Sequence, residues 1–190
     1  MTDTLGAQAA PLVEPPPRSM DEYRAHIQQL ANESDGLGVG FNRTRAHASV
    51  VFSIVFAKAQ NLVEVISEAL DDDVWGQAEV TDAAVAFLRR NQTAKLRIVS
   101  EKPVDVNGNA FLCALRAAGL LDQVKLFSVP PAVLQEYGYH FIVADAQHYR
   151  FQSERSKFEA TIQFGNADLG RKLQVIFGDI RAKCGNEVAL

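Results

Sequence analysis

The sequence predicts an α/β fold: a mixed, mainly parallel sheet flanked by helices on both faces. Three observations carry that prediction. Six-residue stretches rich in Val, Ile and Leu recur at 62–67, 95–100 and 124–129. Stretches with helical periodicity separate them, and strands alternating with helices argue for parallel pairing. Later the pattern changes to two strands with a short connection, 139–144 and 148–152, which add antiparallel members.

The elements follow in order. Residues 1–18 hold four of the seven prolines and few large apolar side chains, so they are predicted as a disordered Pro-rich tail that cannot bury enough surface to offset its ordering entropy. Ser19 reads as an N-cap for a helix over 20–32, with Tyr23, Ile27 and Leu30 on one side. Gly36, Gly38 and Gly40 break it, so 19–43 is read as an N-terminal helix and Gly-rich joint ahead of an α/β domain over 44–190. A second helix runs from about Thr44 to Gln60. Its stretch from Val50 to Phe56 is apolar nearly all round, which predicts a sandwiched position, although its β-branched residues also suit a strand. Asp71–Asp73 open a helix with Val80, Ala83, Ala84, Phe87 and Leu88 on its stripe. Asn109 caps a helix that Gly119 stops, a strand covers 159–164, and Asn166 caps a closing helix that buries Leu169, Leu173, Ile176, Phe177 and Ile180.

The chain has 190 residues, enough for one domain with a real core. Hydrophobic residues are 47% and charged residues 22%, ordinary globular usage, and the net charge is −4. Proteins that live on nucleic acid usually carry a basic surface, so a nucleic-acid partner is not favoured. Cys113 and Cys184 have no close spacing, which supports neither a disulfide framework nor a zinc site; free thiols in helices are expected. No cofactor and no metal are predicted. The N-terminus shows no basic segment followed by an apolar one, and the most apolar run, 49–59, is far shorter than the ~20 residues of a membrane span. A soluble, cytoplasmic protein with no membrane segment is the expectation.

The strand Gly138-Tyr139-His140-Phe141-Ile142-Val143-Ala144-Asp145 and the downstream Gln152-Ser153-Glu154-Arg155 resemble the motif region of the phospholipase D superfamily. That family places a His and a Lys two residues apart on one strand, an Asp five residues after the Lys, and a Gly-Ser-x-Asn element beyond. The resemblance covers about 44–183 and implies a phospholipase D-like fold of a single repeat. In active members the His attacks phosphorus while the Lys and the Asn stabilise phosphate oxygens. Two motifs meet across a pseudo-dyad, so single-repeat members generally act as homodimers, often in bacterial operons beside a catalytic partner. Here Asp145 fits the Asp, but Gly138 stands where the His belongs and His140 where the Lys belongs, and only Ser153 survives downstream. The resemblance therefore implies a degenerate motif: a non-catalytic homo-oligomer serving as a protein-interaction or regulatory module, open to a protein partner.

The alternative is a rebuilt phosphodiesterase or nuclease using His140, His148 and Arg150, which a tight hairpin brings near one another. With Asp145, Ser153 and Arg155 the same residues form the ligand-binding set of an anionic-ligand sensor. Each also has a plainer reading, as a core histidine or a polar strand face. Ser67-Glu68 and Ser100-Glu101 end the first two strands, where parallel sheets frame a crevice, and are read as turn chemistry. Asp71–Asp73 are read as the acidic first turn of a helix, and the glycines before Arg43 and Arg45 as a joint lacking phosphate-loop spacing.

Overall fold

The computed structural model describes residues 19–33 and 35–190, so the Pro-rich tail of 1–18 lies outside the described residues. Along the chain run α1 (Met20–Glu33), β1 (Gly40–Asn42), α2 (Arg45–Lys58), β2 (Leu62–Ser67), α3 (Ala78–Arg90), β3 (Lys95–Ser100), α4 (Ala110–Ala117), β4 (Val124–Ser128), β5 (His140–Ala144), β6 (His148–Gln152), β7 (Ala160–Gln163), α5 (Ala167–Lys183) and β8 (Glu187–Val188). They build one eight-stranded mixed sheet of order β1-β7-β6-β5-β2-β3-β4-β8.

The α/β class and the helices on both faces are as expected; the balance of strand directions is not. Among the described residues only β2–β3 and β3–β4 are parallel, and the other five pairings are antiparallel. The two helical crossovers between β2, β3 and β4 give the parallel centre. The meander β5-β6-β7 and the short edge strands β1 and β8 then outnumber it.

Alternation along the strands sorts the core into two layers. Val63, Val65, Leu96, Ile98, Leu126 and Ile142 join side chains of α1 to α4 on one face. Ile66, Val99, Phe127, Phe141, Val143 and Tyr149 join Leu173, Phe177 and Ile180 of α5 on the other. The apolar run in α2 is helix, held by the Thr44 hydroxyl accepting from the His47 amide at 3.1 Å, and every residue from Ala48 to Phe56 is buried. Trp75 fills the gap beside it, 4.7 Å from the Phe52 ring.

Three local expectations are corrected. Asp71–Asp73 precede α3 rather than opening it: Asp71 Oδ1 accepts from the Asp73 amide at 3.0 Å, and Asp72 Oδ1 accepts from the Ala110 amide at 3.2 Å, serving the start of α4 instead. The glycine run is no free joint, because it leads into β1, paired with β7. A Cβ on Gly38 would lie 2.6 Å from Leu30 Cδ2, so glycine lets this segment lie directly on α1 while Leu37, Val39 and Phe41 face solvent. Leu169 is also exposed. Alongside it, a Cβ on Gly170 would collide with the Ala146 carbonyl oxygen, so α5 touches the β5–β6 turn through backbone and turns Leu169 outward.

That turn is itself anchored. Asp145 and Ala146 have φ of 50° and 58°, the left-handed pair that suits a tight hairpin. The Asp145 carboxylate accepts from the amides of Gln60, Asn61 and Leu62 at 2.6, 2.9 and 2.9 Å, and the Asp145 amide donates to the Leu62 carbonyl at 2.9 Å. Removing the carboxylate orphans three donors at the α2–β2 junction. Asp145→Ala is expected to cost about 2–4 kcal/mol of folding stability and Asp145→Asn less, read from urea-unfolding midpoints.

Candidate ligand-binding cleft

Parallel β2 and β3 end level, with Ser67 opposite Ser100, and β5 begins beside them at His140. A cleft of about 360 Å³ opens at this edge, with Phe52 and Trp75 on its helical wall and His140, Arg150, Gln152 and Arg155 on its sheet wall. Phe158 and Arg45 stand at its rim, the guanidinium 4.6 Å from the ring centroid.

The hairpin register places the polar residues. His140 pairs across with Gln152, Ile142 with Arg150 and Ala144 with His148, so all these side chains share the α1–α4 face. His140 is almost fully buried. Its Nδ1 lies 3.4 Å from Gln152 Nε2, and its Nε2 lies 3.1 Å from Glu101 Oε1. The Gln152 amide is oriented by Arg150, which donates to its Oε1, so its Nε2 shares two hydrogens among three neighbours: His140 Nδ1 and the carbonyls of Glu154 and Arg155. Nδ1 therefore faces a donor and acts as acceptor, which leaves the proton on Nε2, toward Glu101.

Glu101 is shared. Arg155 Nε approaches the same oxygen at 3.1 Å, and the glutamate side chain is only 8% exposed. None of His140 Nε2, Arg155 Nε and Glu101 Oε1 has an aligned hydrogen bond, so the Arg155–Glu101 ion pair and the imidazole beside it are held by proximity. The Arg155 guanidinium also donates to the carbonyls of Leu134 and Tyr137 and lies 4.8 Å from the Tyr137 ring centroid. Burial, then the negative Glu101, push the Tyr137 phenol well above its usual range, so it stays neutral.

Arg150 is 3% exposed. Its Nε donates to Asn42 Oδ1 at 2.7 Å, and one terminal nitrogen donates to Gln152 Oε1 at 3.1 Å and the Phe158 carbonyl at 3.3 Å. Every acceptor is neutral. Desolvation lowers its pKa to about 10, so it still carries a charge at neutral pH.

Of the six candidate ligand residues, the structure gathers His140, Arg150 and Arg155 and leaves out the rest. His148 pairs at the far end of the hairpin, four residues from His140 along the sheet, or roughly 13 Å. There its Nδ1 accepts from the Gly165 amide at 3.2 Å. Asp145 is at that end too, committed to backbone. Ser153 points away into a separate depression shared with Phe41 and Phe151. The triad His140, His148 and Arg150 is therefore not assembled at one point. Of the strand-end dipeptides, Ser67 and Ser100 bond to nearby carbonyls and Glu68 pairs with Lys102 at 2.6 Å, as turn chemistry requires. Glu101 departs from that reading and turns inward. Gln152 was legible from the period-two pattern that puts it on the face of Arg150; nothing local marks Glu101 as buried. Among the described residues no three His, Cys, Asp or Glu side chains converge as a metal site, and no helix is long and apolar enough to cross a membrane.

The fold is similar to that of solved phospholipase D family structures. Nuc from Salmonella typhimurium, a phospholipase D family member, superposes with a TM-score of 0.54 at 14% identity, over 80% of this chain and 97% of that one. Phosphatidylserine synthase from Haemophilus influenzae Rd KW20 gives a TM-score of 0.55 at 14% identity, over 82% of this chain and 40% of that one. The archaeal chromatin protein TrmBL2, with its novel mode of DNA binding, gives 0.51 at 12% identity, over 86% of this chain and 62% of that one. No curated protein sequence matches the chain. Residues 43–188 match the family described as a domain of unknown function, DUF7931, and the chain belongs to that family.

Burial lowers the His148 pKa beneath its ordinary 6.5. The unfolded chain then binds the proton more readily, so this residue's stabilisation is complete above that value and is lost as pH falls toward the lower folded value. His47, also lowered by burial, adds to the same slope. Urea unfolding at about pH 7.5 and 5.5 is expected to show a loss at the lower pH that His148→Gln diminishes.

Proposed function

We propose that this chain is a non-catalytic phospholipase D-like domain acting as a protein-interaction or regulatory module, accessory to other proteins and assembled as a homodimer. The observation that carries the reading is the state of His140. A nucleophilic imidazole needs a bare nitrogen facing the reacting phosphorus. Here Nδ1 is engaged by Gln152 and Nε2 carries its proton toward Glu101. At the position where the resemblance expects the attacking His, Gly138 offers no side chain, although a Cβ there would meet nothing within 4 Å. Arg155, where the resemblance expects the Asn, is drawn into the Glu101 pair and the carbonyls of Leu134 and Tyr137.

Assembly is supported by length. The chain spans nearly all of Nuc but less than half of the synthase, the proportions of a single repeat. In the family that the resemblance names, repeats meet at the face that carries this cleft. The DNA-binding neighbour shares the fold, while the net charge of −4 and the carboxylates at the cleft rim argue against a nucleic-acid substrate.

Purified protein is expected to leave a model phosphodiester such as bis-p-nitrophenyl phosphate intact in the presence of chelator, with His140→Ala indistinguishable from the parent. Chelator-resistant turnover that His140→Ala abolishes would overturn the non-catalytic reading. Light scattering at micromolar concentration is expected to return twice the 20.8 kDa chain mass, and a monomer would remove the homodimer.

A further inference from the structure

We propose that the cleft binds a small, flat organic monoanion of the aromatic carboxylate kind, its charge met by Arg150 and its body held by Phe52, Trp75 and Phe158. The proposal rests on the reading of the cleft as a binding site and names its ligand class.

Charge leads to it. Three of the four cations lining the cleft have a carboxylate partner: Arg45 with Asp71 at 3.3 Å, Lys102 with Glu68 at 2.6 Å, and Arg155 with Glu101 at 3.1 Å. Among the described residues Arg150 is the exception and the most buried, its partners all neutral and its second terminal nitrogen without one. A buried charge without a counterion is costly, and such groups are normally paired. Among the described residues the cleft thus lacks one negative charge, which a ligand can supply.

Valence and shape narrow the class. One free terminal nitrogen suits one small anionic head, whereas a phosphate group wants donors on several sides, and His140 and Arg155 are already taken by Glu101. Asp71 and Glu68 at the cleft repel a polyanion. The volume of about 360 Å³ is at the small end of ligand sites, and its aromatic walls favour a flat apolar body.

The test is a thermal shift and calorimetric titration of the whole chain with benzoate, its neutral counterpart benzamide, dimethyl phosphate and a short single-stranded DNA. Benzoate is expected to raise the melting temperature and to bind at least tenfold more tightly than benzamide and dimethyl phosphate. Phe158→Ala, at the rim where folding is little at risk, is expected to weaken benzoate binding several-fold, and a folded Arg150→Met to abolish the preference for benzoate over benzamide. Equal response to benzoate and benzamide overturns the proposal, as does an undiminished preference in folded Arg150→Met. Preference for dimethyl phosphate or DNA overturns the ligand class. Phosphodiester turnover is read separately, so its presence would sink the non-catalytic reading without deciding what Arg150 binds.

Discussion

The arrangement of the cleft depends on a carboxylate at the other end of the strand that carries it. Asp145 receives the amides of Gln60, Asn61 and Leu62 and so fastens the β5–β6 turn to the start of β2. β5 runs antiparallel to β2 with Val63 opposite Ala144 and Ile66 opposite Phe141, so one fixed end sets the whole register. A slip of one residue would exchange the faces of every side chain on β5. His140 would then leave the crevice for the layer beneath α5, and Phe141 would take its place among polar groups. The aspartate that the resemblance singled out as part of a catalytic motif is thus a positional device acting four residues and more from the cleft.

Electrostatics decides what the positioned groups can do. Glu101 stands between two nitrogen donors, and a carboxylate in that position both steadies the imidazole tautomer and removes Arg155 from service as a free phosphate clamp. Tyr137 sits against the same glutamate as a neutral phenol. The cluster holds three polar side chains and the segment 134–138 in one place, since Arg155 also reaches the Leu134 and Tyr137 carbonyls and its amide donates to Gly138. Arg150 lies outside that arrangement, and no carboxylate among the described residues of the cleft answers its charge.

Much of the fold was legible in the chain because it is written in local patterns. The strand at 62–67 and that at 95–100 coincide with β2 and β3, and the asparagine caps at Asn109 and Asn166 are where the side chains accept from Leu112 and Leu169 amides at 3.1 Å. What escaped was tertiary. Asp71–Asp73 look like a helix start, yet Asp72 serves α4, thirty-eight residues away. The alternation of glycine with Leu37, Val39 and Phe41 reads as a break until α1 is known to lie beneath the glycines. The site divided in the same way. The hairpin bounds 139–144 and 148–152 already put His148 beside the turn and His140 at the open end, whereas the common face of His140 and Arg150 needed the register, and no pattern in Ser100-Glu101 tells an inward glutamate from the outward one in Ser67-Glu68.

The departures from the family motif fit together better as a set than one by one. Replacing an Asn with Arg155 brings a longer, charged side chain, which needs a carboxylate and finds it in Glu101. A buried carboxylate beside position 140 suits an imidazole that carries its proton there, and Gln152 in place of a glycine supplies the amide that satisfies the other ring nitrogen while its oxygen accepts from Arg150. With His140 and Arg155 committed to Glu101 on the proposed reading, a nucleophile at Gly138 would find neither of those two groups free to stabilise a phosphorane. On the proposed reading the motif has been converted from a set of groups waiting for phosphate into a set satisfied from within, with a single buried guanidinium left facing the cleft.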